Sequence, residues 1–449
     1  VSIGGSENMG MPFHGGIHPK VTGVFDIEEP AEMLPAPDIL YYPLIQHRGA
    51  AAEPLVQVGD QVCLGQKIAD SPAAITAPIH ASVSGMVRAI EPWDHPDGDK
   101  CEAIVVENDR LDTKDPALDS PPRETDALSA QDLIQIAREA GIVGMGGAGF
   151  PLYAKLKDAV GKVETIILNG CECEPLLQSD HTTMIYDAHS VVQGGRLLAK
   201  SVGAPCVIIA VEDDKPRAAQ ALREAVGEAD DITVQTLPTR YPQGGEKMLI
   251  QALLGKEVPP GKLPIALGLI VCNVESAAAL YRACKNHRPL ISRNVTVAGS
   301  VVARPRVLNV RLGTPFQALI DHCGVTAPYA KLLSGGPMMG KAVSNLDAPI
   351  PKGCSGILIL NEVHAHRSET SSCIRCGKCV SACPMGLEPY LLAKLSENHL
   401  FERAEKELIT ACLECGCCAY SCPSNRPILD YIRIGKNAVN QIIRSRKQS

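Results

Sequence analysis

Nine of the 18 cysteines fall between Cys373 and Cys422, in two copies of one pattern. The first is Cys373-x2-Cys376-x2-Cys379-x3-Cys383-Pro384. The second is Cys412-x2-Cys415-x2-Cys418-x3-Cys422-Pro423. Three thiolates at this spacing can wrap one face of an iron–sulfur cubane from a single loop. The proline then turns the chain away, and the fourth iron is reached from the other run. The expected wiring is Cys373, Cys376, Cys379 and Cys422 on one [4Fe–4S] cluster, and Cys412, Cys415, Cys418 and Cys383 on a second. Zinc sites use Cys-x2-Cys pairs with a spacer and have no reason to repeat a four-cysteine run ending in proline. Cys417, between two ligands, is expected to point away from its cluster as a small hydrophobe.

A second constellation lies upstream. Gly144-Met145-Gly146-Gly147-Ala148-Gly149-Phe150-Pro151 separates helical patterns at 130–140 and 153–160. Its glycines free the backbone to approach a ligand, and N–H groups ahead of a helix favour a phosphate. Alone, such a loop reads equally well as a glycine-rich turn, and its spacing is not the dinucleotide fingerprint. The neighbouring pattern adds weight. A short apolar run at 163–168 leads into Asn169-Gly170-Cys171-Glu172-Cys173-Glu174-Pro175. Another at 206–211 leads to Glu212-Asp213-Asp214, and a third at 265–271 to Cys272-Asn273-Val274-Glu275. Helical patterns at 216–225 and 247–254 lie between them. Open α/β sheets bind ligands beyond the carboxyl ends of their strands, so a βαβ domain with three polar strand ends is expected over about 130–285.

These residues carry a resemblance. The glycine loop with Lys155, Asn169-x-x-Glu172-x-Glu174-Pro175, Tyr241-x-x-Gly244-x-Glu246 and Asn273-Val274-Glu275 resemble the NADH- and FMN-binding flavoprotein subunit of respiratory complex I. With two ferredoxin-type runs downstream, the chain as a whole resembles the RnfC family, a component of the Rnf (Rsx) ion-translocating electron transport complexes. The resemblance implies that Gly144, Gly146, Gly147 and Gly149, with Lys155, hold the flavin phosphate. It puts Asn169, Glu172 and Glu174 near the isoalloxazine and nicotinamide. Tyr241, Gly244 and the acid Glu246 would line the flavin and NADH pocket, and Asn273 would meet the ribityl-phosphate end. Phe150 would stack on the NADH adenine. The chain departs from the complex I pattern at Met145 (Arg there), at Cys171 (Asp there) and at Gly245 (Glu there).

The remaining elements must position these groups. Residues 54–91 alternate short β patterns with glycine turns and look like a biotinyl/lipoyl-type barrel-sandwich. The hairpin at 81–86 has no lysine to carry a cofactor, so a structural module is expected. Residues 107–126, rich in Asp and Pro, read as a linker. Residues 290–365, from Arg293 through a helical pattern at 315–323 to Gly340, resemble the β-grasp (SLBB-like) module that follows the flavin domain in complex I. Apolar residues Leu391, Leu392, Leu395, Leu400, Ala404 and Leu408 suggest one helical face between the cysteine runs. Ile428 through Ile443 suggest another, ending in Arg444, Arg446 and Lys447, which suit a solvated tail. The expected architecture is multidomain α/β. It comprises a barrel-sandwich domain (1–110), a Rossmann-like FMN/NADH domain (127–288), a β-grasp domain (289–365) and an all-α two-[4Fe–4S] ferredoxin-like domain (366–449).

Composition agrees. The 449 residues are 45% hydrophobic and 21% charged, which excludes a disordered or fibrous chain. The net charge of −7 argues against a nucleic-acid binder. Aromatics are only 4%, so the core must be aliphatic. The longest apolar stretch, 263–274, is interrupted by Pro264 and Gly268 and is too short to span a bilayer. Residues 1–16 lack a signal-peptide apolar region, residue 1 being Val. A reducing compartment is therefore expected, where cysteines serve as metal ligands or reactive thiols rather than disulfides. The scattered Cys63, Cys101, Cys206, Cys284, Cys323 and Cys354 are expected in the core, and His14 and His18 to be structural.

The expectation is an NADH- and FMN-binding, iron–sulfur subunit of a ferredoxin:NAD oxidoreductase moving Na+ or H+. It would lie peripherally on the cytoplasmic face of the bacterial inner membrane, among partner subunits that include a ferredoxin-like one. A flavin is needed because nicotinamide moves two electrons and a cluster one. The alternative is a non-catalytic iron–sulfur relay with a degenerate flavin site.

Overall fold

Strand Thr165–Gly170 lies inside a four-stranded parallel sheet, ordered Ile232–Leu237, Cys206–Glu212, Thr165–Gly170, Leu269–Asn273. Its near-continuous Val/Ile/Leu content is what a parallel sheet covered on both faces requires. Ile166 and Leu168 belong to one core, with helices Ala130–Glu139, Leu152–Ala159, Ala188–Val202, Pro216–Val226 and Val274–Asn286. Ile167 belongs to the opposite core, with helix Glu246–Leu254. All three are fully buried, and each such burial is worth roughly 1.5–3 kcal/mol. The chain steps outward from the central strand to the first edge, then returns to its other side. The carboxyl ends of Thr165–Gly170 and Leu269–Asn273 thus form the topological switch point, and Asn169 and Asn273 pair in register there. The computed structural model describes residues 12–20, 25, 29–96, 98 and 100–448, with side chains to 446. Residues 1–11 of the glycine-rich start and the Lys447 side chain lie outside the described residues.

The third apolar run differs from expectation. Pro264–Leu267 is a 3-10 turn, Gly268 ends it in the left-handed region (φ +72), and the strand is Leu269–Asn273. Helix Ala188–Val202 is not suggested by pattern, because Gly194-Gly195 reads as a breaker. Packing demands those glycines: a Cβ on Gly194 would lie 2.0 Å from the Ala277 carbonyl oxygen.

The barrel module joins a sheet of Ile39–Pro43, Lys100–Asn108, Gly85–Asp94 and Gln61–Val62 to one of Glu53–Pro54, Lys67–Asp70 and Ile79–His80. It is fixed to the central domain by the Arg138–Asp70 ion pair at 2.7 Å. The buried Lys352 ammonium also joins them, donating to Pro78 O (2.6 Å) and Gly141 O (2.8 Å). The β-grasp module is a mixed six-stranded sheet over helix Phe316–Cys323. Its edge strand is Glu32–Met33, paired in parallel with Leu308 and Asn309, so this early segment joins the third module and not the barrel. The C-terminal domain repeats itself at the offset of Cys373 to Cys412. Left-handed residues Arg375 and Glu414, Gly377 and Gly416, and Gly386 and Asn425 occupy equivalent positions. Between the runs, the single expected helical face is broken into Pro389–Glu397 and Phe401–Lys406 at the left-handed His399. Leu400 and Leu408 are exposed in consequence. No helix among the described residues is long and apolar enough to cross a membrane.

Candidate nucleotide and cluster sites

The glycine loop is a closed turn clamped from beneath. Gly144 N donates to Phe150 O (2.9 Å) and Gly149 N to Gly144 O (3.0 Å). Met145 turns its side chain inward and is 1% exposed. Its N–H donates to Ser276 Oγ (2.9 Å), and its carbonyl accepts from Arg293 Nη1 (3.3 Å). Arg293 is itself fully buried, paired with Glu275 at 2.9 Å. Above this clamp, Gly146, Gly147 and Ala148 are exposed, and no acceptor among the described residues takes their N–H groups. Gly147 is left-handed (φ +92) with open space where a Cβ would stand. Three consecutive free N–H groups on a turn suit an anion, so the loop fits a flavin phosphate. Phe150 is half-buried beside it.

The strand ends meet this loop. Asn273 Oδ1 caps helix Val274–Asn286 by accepting from Glu275 N (2.9 Å) and Ser276 N (3.3 Å). A Cβ on Gly146 would lie 3.3 Å from Asn273 Nδ2. That nitrogen donates to Asp180 Oδ2 at 2.6 Å, leaving Asp180 Oδ1 buried without a partner. Burial, then the charges of Glu172 and Glu275, push the Asp180 carboxyl well up. Asn169 Nδ2 donates to Gly244 O (2.9 Å). Lys155 Nζ donates to Val271 O (2.8 Å) and stands 3.8 Å from Glu246, whose side chain is 41% exposed.

The other two acids are held by this chain's own backbone. Glu172 accepts from Ser179 Oγ (2.9 Å), Asp180 N (3.2 Å) and His181 N (3.0 Å), which ties it to the first turn of Ser179–Tyr186. Glu174 accepts from Met339 N (2.6 Å) and Met338 N (3.1 Å), on the β-grasp module's 335–340 loop. Burial pushes Glu174 up to about 7 against the pull of those two donors.

Tyr241 faces the cysteine domain. It is buried, and its hydroxyl donates to Cys415 O at 2.8 Å. Around it pack Ala382, Cys415 and Cys417, with Cys173, Met338, Leu413 and Ile17 against them. Gly244 N donates to Cys173 Sγ (3.3 Å). The N-terminal segment closes the joint, with Gly16 N donating to Ala382 O (3.0 Å) and Ile17 bridging to Tyr241.

Cys383, Cys412, Cys415, Cys417 and Cys418 line one pocket with Pro384, Leu392 and Ile432. The thiols of Cys412, Cys415 and Cys383 all act on that of Cys418. Cys379 feels Cys422 in the same way, while Cys373 and Cys376 are exposed. Cys383, the fourth cysteine of the first run, therefore lies with the second run. Five cysteines line this apolar pocket, and with Cys417 Sγ directed at Tyr241 O the other four fit sulfur ligation of a cluster. Among the described residues, no three His, Cys, Asp or Glu side chains close on a single metal-ion position. Cys417 is buried, with Sγ 4.0 Å from Tyr241 O. Of the scattered thiols, Cys284, Cys323 and Cys354 are buried, but Cys206 is exposed and Cys63 and Cys101 are half-buried.

Sequence reasoning does not single out Ser276 and Arg293 as the groups that hold the glycine loop, or Cys173 at the joint. An Asn at a strand end followed by Glu and Ser is an N-cap signal; it could have pointed to Ser276.

Four family models match the chain. They are the RnfC barrel sandwich hybrid domain over residues 11–111, the Nuo51 FMN-binding domain over 137–282, the SLBB domain over 294–342 and the 4Fe-4S dicluster domain over 365–423. The C component of the proton-translocating ferredoxin:NAD(+) oxidoreductase complex of Clostridium ljungdahlii is 45% identical, over 95% of this chain and 93% of that one. The C component of the Na(+)-translocating ferredoxin:NAD(+) oxidoreductase complex of Acetobacterium woodii is 41% identical, over 95% and 97%. In fold alone, the chain is similar to a crystal structure of NAD+-reducing [NiFe]-hydrogenase in the air-oxidized state, with TM-score 0.50 and 18% identity over 70% of this chain and 66% of that one. On these two relatives and the order of the four domains, this chain belongs to the RnfC family, the C components of the ion-translocating ferredoxin:NAD(+) oxidoreductase complexes.

Proposed function

We propose that the chain is the NADH- and FMN-binding, iron–sulfur electron-transfer subunit of a membrane-bound ferredoxin:NAD oxidoreductase complex that moves Na+ or H+. The observation that carries this reading is the joint at Tyr241, where the polar end of the central domain packs directly on the loop of Cys415. Bound flavin supplies the exchange between two-electron nicotinamide and one-electron cluster chemistry. The free N–H groups of Gly146 and Gly147, in the turn closed by Gly144 and Gly149, would hold its phosphate. Asn169, Asn273 and Lys155 border the same crevice. Glu246, the half-exposed acid, would meet the nicotinamide nucleotide.

Cys412, Cys415, Cys418 and Cys383 would hold the inner cluster, against the central domain. Cys373, Cys376, Cys379 and Cys422 would hold the outer one. Exposed Cys373 and Cys376, with Ile374 67% exposed between them, mark where a partner's iron–sulfur group would dock. Partner subunits would hold the chain at the cytoplasmic face of the bacterial inner membrane. A second reading, an iron–sulfur relay without NADH chemistry, is favoured by the structural ties of Glu172 and Glu174. The visible spectrum of anaerobically purified protein separates the two. Flavin absorption bleached by NADH supports the first, and cluster absorption alone supports the second.

A further inference from the structure

The barrel module meets the glycine loop through one turn. Arg48 N donates to Gly149 O at 2.8 Å. That turn is fixed on every side. Gln46 Nε2 donates to Pro43 O (3.2 Å), and its Oε1 accepts from Lys352 N (3.3 Å). The buried His47 Nε2 lies 2.9 Å from Ala50 O and 3.1 Å from Ala77 N, and its tautomer decides whether it donates to the first or accepts from the second. Gly49 is left-handed (φ +126), and a Cβ there would lie 2.2 Å from Ile75 O, the oxygen that accepts from Ala50 N. The charged side chain this turn carries is Arg48, which is exposed. Among the described residues no carboxylate lies within ion-pair distance of it.

The central domain has little positive charge of its own to offer at the loop. Met145 is apolar and buried. Lys155 is tied to Val271 O and faces Glu246. The crest offers neutral N–H groups alone. Of the cations near the loop, Lys155 faces Glu246 and Arg293 is paired with Glu275, whereas the guanidinium with no carboxylate partner belongs to the residue bonded to Gly149. We propose that Arg48 is a phosphate-binding residue of the flavin site, supplied by the barrel-sandwich module, so that the two modules build the pocket together. This rests on the flavin reading above. The planar guanidinium suits the phosphate because it can donate two parallel hydrogen bonds, which an ammonium cannot.

The test is titration of FMN and of riboflavin into the flavin-free full-length chain with its clusters intact, followed by flavin fluorescence. Riboflavin lacks the phosphate, so the ratio of the two Kd values isolates contacts to it. Arg48→Gln should weaken FMN by about tenfold or more, the size of a lost charge-assisted hydrogen bond. Riboflavin binding should stay within about twofold, and Arg48→Lys should fall between. Iron content and cluster absorption report that each variant is folded. An unchanged FMN-to-riboflavin ratio in Arg48→Gln overturns the proposal, as does a loss confined to NADH binding. Failure of the unsubstituted chain to bind FMN would overturn the flavin reading itself, and this one with it.

Discussion

Glu172 and Glu174 stand two apart at one strand end, yet neither carboxylate is left to meet a ligand unaided. Glu172 caps a helix, so Glu172→Ala should lose about 1–2 kcal/mol, as a lost N-terminal cap does. Its thermal midpoint and its flavin content should fall together. Glu246→Gln should keep flavin and iron and raise the KM for NADH severalfold. Flavin retained in Glu172→Ala, with only NADH turnover lost, would return Glu172 to the nucleotide site. Glu174 makes a pH prediction. Its folded pKa of about 7 lies above the ordinary carboxylate value, chiefly through burial. The folded chain therefore binds more protons than the unfolded one between the ordinary range and about 7. The stabilisation is full below the ordinary value and is lost as pH rises through about 7. Glu174→Gln cannot ionise, so wild type should lose thermal stability relative to that variant between pH 5.5 and 8.5. A pH-independent difference would mean that Glu174 titrates normally.

At the scale of elements, the glycine loop separates conformation from packing. Gly147 is left-handed with nothing near its missing Cβ, so Gly147→Val costs backbone strain of about 1–2 kcal/mol and covers the crest without a clash. Flavin content should fall while iron content holds; retained flavin would make the loop a plain turn. Gly194→Ala is the opposite case, a collision with Ala277 O that should lower the thermal midpoint without touching either cofactor preferentially. These two glycines show what was legible. The cysteine runs and the polar strand ends announce themselves, because ligand spacing and strand-to-turn pattern are local. The helix through Gly194 does not, because that glycine answers to Ala277, a neighbour some eighty residues away. Strand Leu269–Asn273 starts later than its apolar run for a related reason, since Pro264 and Gly268 make a turn inside that run. The roles of Glu172 and Glu174 were hidden because a carboxylate bonded to backbone N–H looks the same in sequence as one awaiting a substrate.

Across the whole molecule, the modules meet at the central domain: the barrel at Gly149, the β-grasp loop at Glu174 and the cysteine domain at Tyr241. The N-terminal segment at Gly16 and Ile17 closes the joint from a distance no local pattern reveals. The chain should carry about eight irons, four per cubane. Cys383→Ser should damage the inner cluster and spare that of its own run; the opposite loss by EPR would overturn the crossed wiring. The joint itself is tested at Tyr241. Its hydroxyl donates to the carbonyl of Cys415, a proposed ligand of the inner cluster, inside an apolar contact. Hydrogen bonds around ligating sulfurs and their loops set cluster potential. Tyr241→Phe keeps the ring and its packing but leaves that carbonyl buried without its donor, a cost of about 1–3 kcal/mol. Iron and flavin content should be unchanged. The inner-cluster midpoint potential should move while the outer one stays, and electron arrival at the clusters after mixing with NADH should slow in stopped-flow absorption. If neither the potential nor that rate changes, Tyr241 merely glues two domains together, and the electron route must leave the central domain elsewhere.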